Sequence, residues 1–362
     1  MPSSTPDPSG LRPLTDSSGA PLPVQYVMVA PAAPPAKSRG VLSKMFGGLL
    51  LSLFVMSVLA NVYLAGFISV LTAGPHEKVY QQGDPKQRIV ILPIEGMITG
   101  ETEDFVGHSL KSLAEDKANL PRAIILRVDS PGGYVGPSDR ILEHIERFKK
   151  KYPSIPIVAS FGSVAASGGY YVSASCDHIM AEPTCTTGSI GVIIAAFTYG
   201  KLLENIGVEP KVFVADGSPN KDVANNPFRT FDAKDEAKIK SLLNTAHAQF
   251  VSVVSRGRAK VLSPDEVKTL ANGDTYTTKE AISNKLIDGQ GYLEDVIEET
   301  KKLAKISGQP QVTWMSSPRG FSLLGSLSSK GQSELPTSGE ELRSWLRDAS
   351  HPRMEYLWVP GM

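Results

Sequence analysis

Between Lys44 and His76 the chain carries no charged residue. That uncharged run is longer than the ~20 residues a helix needs to cross a hydrocarbon core, so it predicts a transmembrane helix over residues 46–74. Asn61 is the one strongly polar side chain inside the run. It is expected to bond another helix or a water rather than to carry a substrate. Lys37, Arg39 and Lys44 precede the span, whereas the flank after it, PHEKVYQQGDPKQR, mixes signs. The positive-inside bias then puts the N-terminus in the cytoplasm and everything after Gly74 outside. The rival reading is a cleaved signal peptide, favoured by the small residues of LTAG. It fits worse, because the leader is long and the apolar run exceeds the usual h-region.

The span divides the rest of the chain. Residues 1–45 are rich in Pro and Ser, a composition that cannot bury enough surface to offset chain entropy, and a disordered cytoplasmic segment is expected there. Residues 75–87 read as a linker and 88–312 as one folded domain. Residues 313–362 read as a tail that is loosely ordered or docks on a neighbouring subunit. Lys plus Arg and Asp plus Glu both number 37 among 362 residues, and no basic cluster with interleaved aromatics appears, so nucleic acid is not an expected partner. The two cysteines, Cys176 and Cys185, are too few for a disulfide scaffold or a structural zinc site and read as small buried residues.

Within the folded part, RIVILPIEGMI and RAIILRVDSPGG are apolar β-branched runs closed by glycine, as expected of strands buried on both faces. PSDRILEHIERFKKKY sets Ile141, Leu142, Ile145 and Phe148 at helical spacing behind Ser138 as a possible N-cap. IPIVASFG, HIMAE, GSIGVIIAAF and PKVFVAD read as further strands, and Lys201–Gly207 as a helix. A long amphipathic helix is expected over Ala233–Arg256, followed by helices in SPDEVKTLANG, from Thr278, and in YLEDVIEETKKLAK. Strands alternating with helices indicate an α/β domain with a largely parallel sheet.

The chemistry concentrates in VAASGGYYVSAS. A serine nucleophile needs exposure on a tight turn, N–H groups aimed at the developing oxyanion, and a base. Around Ser167 the residues Ala165, Ala166, Gly168 and Gly169 leave room, and the SPGG loop could bring a second N–H close. The first Gly of G-x-S-x-G is missing, so an α/β-hydrolase elbow fits poorly. Small-residue helix starts are also common packing devices, and locally Ser167 stays open between the two roles. The base stays open too. His144 or His178 could act with Asp129 or Asp177, and Lys221 in GSPNKDVANNPF is the other option. To act near neutral pH a lysine's pKa must fall from about 10.4 to roughly 7–8, at a cost of around 4 kcal/mol that requires burial. None of the six histidines forms an H-x-x-x-H pair, and neither phosphate-loop pattern is present, so no metal or nucleotide site is expected.

Taken in order, DSPGG, SVAASGGYYVSA, TTGSIGV and NKDVANNPFR resemble the membrane-anchored signal peptide peptidases of the SppA type, over about Arg88 to Lys305. The resemblance implies a Clp protease/crotonase-like spiral of repeated β-β-α units. It also implies that Ser167 is the nucleophile and Lys221 the general base of a Ser/Lys dyad, that Ser189 orients the lysine, and that Gly133 and Gly168 supply the oxyanion-hole N–H groups. No metal or organic cofactor is required. The substrates implied are remnant signal peptides and other hydrophobic membrane-associated peptides, and a homo-oligomeric ring is implied by the single catalytic-type segment. Asp129 stands where the family commonly has Asn, and a carboxylate there would oppose the oxyanion unless it is turned away or paired. That oddity motivates the alternatives, an inactive peptide-binding scaffold on the same fold or, further off, acyl-CoA chemistry. Cys185 also departs from the family pattern, with no expected consequence.

Overall fold

A computed structural model describes residue 18 and residues 41–72, 75–317 and 355–358. The expected disorder before Val41 and the tail from 318 to 354 lie outside the described residues. Helix α1, Val41–Thr72, starts five residues before the expected 46 and includes the apolar stretch Met45–Leu64, long enough to cross a membrane. Asn61 Nδ2 donates to the Ser57 carbonyl at 2.7 Å, so the polar group inside the span has a partner on its own helix.

The second unit is built from β1 (His76–Gln81), β2 (Asp84–Glu95), α2 (Gly100–Glu115), β3 (Ala123–Ser130), β4 (Gly132–Tyr134), α3 (Val135–Lys151), β5 (Ile157–Ala166), α4 (Gly168–Ser173), β6 (His178–Ala181) and β7 (Thr186–Gly188). It continues with α5 (Gly200–Asn205), α6 (Ala233–Gly257), α7 (Pro264–Leu270), β8 (Thr275–Thr277), α8 (Thr278–Ser283), β9 (Gly289–Gln290), α9 (Leu293–Leu303), β10 (Pro310–Ser316) and β11 (Glu355–Leu357). The main sheet runs β1-β10-β2-β3-β5-β6-β9, with β7 beside β5 and β8 beside β7. All pairings in it are parallel except β1 with β10 and β7 with β8, so the α/β architecture expected from the sequence is present.

Period-two alternation in the apolar strands explains the layers. Ile89 and Ile91 of β2, Ala123 and Ile125 of β3 and Val158 of β5 face Val296 and Ile297 of α9. The intervening Val90, Leu92, Ile124, Leu126 and Phe161 face the other way, toward Leu110 of α2, Ile141 and Ile145 of α3 and Tyr170 of α4. A buried aliphatic side chain of this kind contributes about 1.5–3 kcal/mol.

One irregularity shapes the site. β5 pairs with β6 over Val158–Phe161, then leaves it and pairs with β7 over Val164–Ala166. The β3–β5 register slips between Val128 and Ser130, and Asp129 Oδ1 accepts the Val164 N–H at 3.1 Å. The carboxylate thus satisfies a donor at the slip in the ladder.

Several expectations change. The linker at 75–87 is two strands, β1 and the start of β2. β1 is an exposed, polar edge strand whose order comes from its ladder with β10 and from Glu77, which accepts from Arg88 and from Thr313 Oγ1. No apolar pattern announces such a strand. PKVFVAD forms no strand, and of GSIGVIIAAF only Gly188, the last residue of β7, lies in a strand while Ile193 makes an isolated bridge, because the rest of each segment finds no full partner strand among the described residues. Ser138 is inside α3 rather than its cap, its hydroxyl donating to the Tyr134 carbonyl at 2.9 Å. The tail expected to be loose contributes β10 at one end and β11 at the other.

Candidate active site

Three parallel strands, β3, β5 and β7, end side by side, and four of the five predicted residues, Gly133, Ser167, Gly168 and Ser189, follow them closely in the chain. Ligand sites of α/β sheets gather at such carboxyl ends. Ser167 follows β5 with φ 52° and ψ −112°, a conformation that costs a non-glycine residue about 1–3 kcal/mol and persists only where its surroundings impose it. Here the Ser167 N–H donates to the Gly188 carbonyl at 2.8 Å, and the Ser167 carbonyl accepts the Tyr171 N–H at 2.8 Å, starting α4. The Ser167 Oγ bonds to neither strand. It is buried and has no hydrogen-bond partner among the described residues. An orphaned buried hydroxyl on a strained turn is poorly explained by packing alone.

Ser189 leaves β7 in the same left-handed region, with φ 48°, held by its N–H to the Asp274 carbonyl at 2.7 Å. Because Gly188 accepts from Ser167, the two serines are on directly linked turns. Gly168 and Gly133 close the other side. Gly132, with φ +107°, leads into Gly133, and a Cβ on Gly132 would meet the Gly168 nitrogen at 2.7 Å. A Cβ on Gly133 would meet the Ile98 carbonyl oxygen at 2.2 Å. Only glycine allows the two chain segments this approach.

Lys221 is apart. It is exposed in a turn segment, its N–H donating to the Ser218 carbonyl at 3.0 Å, and its amine is not a partner of Ser167 Oγ. The segment is nevertheless pinned to the start of α6. Asp235 is fully buried, caps α6 reciprocally with Asp232, and takes the Ala224 N–H at 2.7 Å and the Arg229 Nη2 at 2.8 Å. The Arg229 hydrogen bonds hold the Asp235 carboxyl well below its usual range against the opposing effect of burial.

The histidine alternatives are engaged elsewhere. His144 Nε2 is 3.3 Å from Glu103, and His178 Nδ1 is 3.8 Å from Asp288, which also takes both Arg258 Nη atoms at 2.9 and 2.7 Å. Asp177 accepts the Ile157 N–H and pairs with Lys149. Asp129 is turned toward Val164, as described. Cys176 and Cys185 are unpaired and buried, which pushes both thiols up to about 12.

The signature of Peptidase family S49 matches residues 149–307. An Enterococcus faecium protein named as a signal peptide peptidase SppA is 34% identical over 256 residues, covering 68% of this chain and 72% of that protein. The chain belongs to peptidase family S49. A Haemophilus influenzae Protease 4 is 31% identical to this S49 chain over 224 residues, covering 60% of the chain and 35% of the relative. The Arabidopsis thaliana chloroplastic serine protease SPPA is 32% identical over 206 residues, covering 57% of the chain and 29% of the relative. These names make the S49 chain an SppA-type peptidase.

Sequence reasoning missed two parts of the site. Gly132 is one: SPGG marks a turn, but not which glycine takes positive φ. The other is β11, which pairs antiparallel with β4 beside the Ser167 turn. The apolar YLW inside a polar tail was its one signal.

Proposed function

We propose that the chain is a membrane-anchored serine endopeptidase that hydrolyses remnant signal peptides and other hydrophobic membrane-associated peptides through a Ser167/Lys221 dyad. The observation that carries this reading is the orphaned Ser167 hydroxyl, raised on a strained turn between the backbone of Gly168 and Gly133. Ser167 Oγ attacks a peptide carbonyl as neutral Lys221 takes its proton. The Gly168 and Gly133 N–H groups receive the oxyanion. Lys221 returns the proton to the leaving amine, and water then hydrolyses the acyl-enzyme ester by the same route. Ser189 orients the lysine amine by a hydrogen bond.

An exposed amine is a poor base, so the dyad needs a second surface to dry it. Lys221 lies in a segment whose Phe197, Leu202, Ile206, Val212 and Phe213 are all exposed. A homo-oligomer, of which a ring is the form the family suggests, covers this face and brings a Lys221 to a Ser167. The N-terminus is cytoplasmic and the peptidase unit extracytoplasmic, with the apolar helix as tether. Asp129, whose Oδ1 accepts the Val164 N–H, supports the enzyme over an inactive scaffold on the same fold.

A fluorophosphonate probe applied to the detergent-solubilised full chain tests the reading. Labelling that disappears in Ser167→Ala and in Lys221→Ala is expected. A folded wild type that takes no label overturns it.

A further inference from the structure

Ser189 is clamped from outside its own strand. Its N–H goes to the Asp274 carbonyl at 2.7 Å, and a Cβ on the preceding Gly188, which has φ +85°, would meet Tyr276 Cδ2 at 2.5 Å. The turn is thus seated against the segment that leads into β8. That contact continues along the ladder, with Thr275 opposite Gly188 and Tyr276 opposite Thr187. Residue 274 therefore holds the left-handed Ser189 backbone. Because the Gly188 carbonyl accepts the Ser167 N–H, the same clamp bears on the nucleophile turn.

Side chains fix residues 270–274 in turn. Asn272 Oδ1 accepts the Asp274 N–H at 2.9 Å, and its Nδ2 donates to Asp274 Oδ2 at 2.6 Å. The Tyr276 hydroxyl donates to the Leu270 carbonyl at 3.1 Å. Both of these ties are local in sequence. A third is not: His247, in the middle of α6, has Nε2 2.8 Å from the Ala271 carbonyl oxygen. A carbonyl only accepts, so this nitrogen carries the proton. Ala271 is buried where α7 ends, and its carbonyl depends on that donor. Near its start the same helix carries Asp235, which takes the Ala224 N–H and the Arg229 guanidinium in the segment of Lys221. Asp235 and His247 are about 18 Å apart along the helix axis. One rigid element thus holds the lysine's segment at its start and the serine's clamp at its middle.

We propose that His247 is a positioning residue of the peptidase, which ties α6 to the 270–274 turn and so sets Ser189 where it meets the lysine amine. Its bond goes to Ala271 and not to the nucleophile, so its influence passes through Ser189. The effect on rate rests on the Ser167/Lys221 reading, whereas the hold on the Ser189 turn is measurable without catalysis. A histidine that merely ends a helix makes the same hydrogen bond. The two roles differ in whether loss of the bond is felt through Ser189.

The experiment uses the full-length chain in detergent, with His247→Ala and His247→Gln each made in the wild-type and Ser189→Ala backgrounds and assayed on a chromogenic peptide anilide. His247→Ala should lower kcat about tenfold with KM within about twofold, since a small misplacement away from the chemistry is felt in the rate. His247→Gln, whose Nε2 still donates toward Ala271, should recover to within about threefold of wild type. In the Ser189→Ala background, His247→Ala should cost less than about twofold more, because residues acting through one chain of contacts are not additive. A tenfold loss in both backgrounds, a glutamine variant no better than alanine, or an unchanged kcat in His247→Ala overturns the proposal. Should His247→Ala fail to fold, His247→Phe fills the same space without a donor and takes its place in the cycle, with the same pattern expected. A wild type that takes no fluorophosphonate label sinks the Ser167/Lys221 reading instead, and amide hydrogen exchange then decides. Faster exchange at Ser189 in His247→Ala but not in His247→Gln supports the positioning role, and equal exchange in wild type and both variants overturns it.

Discussion

Around Ser167, a Cβ added to Gly132, Gly133 or Gly168 meets another atom within 2.9 Å, and the turn's N–H and carbonyl are both bonded. Across residues 190–230 the chain forms one short helix, and Phe213 is 90% exposed among other bare apolar side chains. Both regions carry residues assigned to one reaction, yet only the first is assembled by the chain's own fold. The difference teaches that strand ends can impose a strained nucleophile from local packing, whereas a dry amine needs a covering surface. In the function proposed above, that surface comes from another copy.

The sharpest break in the comparison is Ser167→Ala. It should abolish peptide hydrolysis by at least about 1,000-fold while the melting temperature of the solubilised protein stays near wild type, because only the orphaned hydroxyl is lost. Gly133→Ala tests whether the tight region is tight for catalysis. Its Cβ cannot be placed without moving Ile98, and a displaced oxyanion donor should cost about 100-fold in kcat.

The loose region responds differently. Phe213→Glu should lower the oligomer's mass in light scattering and reduce kcat/KM about tenfold, through assembly rather than chemistry. Asp235→Ala removes the buried carboxylate that ties Ala224 and Arg229 together and should cost at least about 2 kcal/mol of stability. Because the folded-state pKa of Asp235 is depressed, its contribution is present at neutral pH and is lost as pH falls below the ordinary value of 3.8. Urea midpoints of wild type and Asp235→Asn should therefore converge on acidification. Asp129→Asn marks the small end of the scale. It keeps the acceptor for the Val164 N–H, so activity should stay within about threefold of wild type.

What the sequence disclosed follows the same division. β2, β3 and α3 were legible because burial on one or two faces imposes periodicity on Ile89–Ile94, Ile124–Val128 and Ile141–Phe148. Ser167, Ser189, Gly133 and Gly168 were placed by resemblance, and the structure gathers them. β1 was illegible because its order comes from backbone pairing and not from burial. PKVFVAD was misread for the opposite reason: its apolar alternation has no partner strand among the described residues, so pattern without partner does not make a strand. β11 was signalled only by the apolar YLW, and its place was illegible because a three-residue segment acquires its conformation from β4 and Ile193, both far away in sequence.

The central claim is that Ser167 receives its base from another copy of the chain, and mixing two dead variants tests it most directly. Ser167→Ala and Lys221→Ala proteins, each inactive alone, are combined in detergent, allowed to exchange subunits, and assayed for peptide hydrolysis and fluorophosphonate labelling. A shared site predicts recovery toward about a quarter of wild-type activity, the share of interfaces that pair an intact serine with an intact lysine. Mixed oligomers that form yet remain inactive and unlabelled would contradict it.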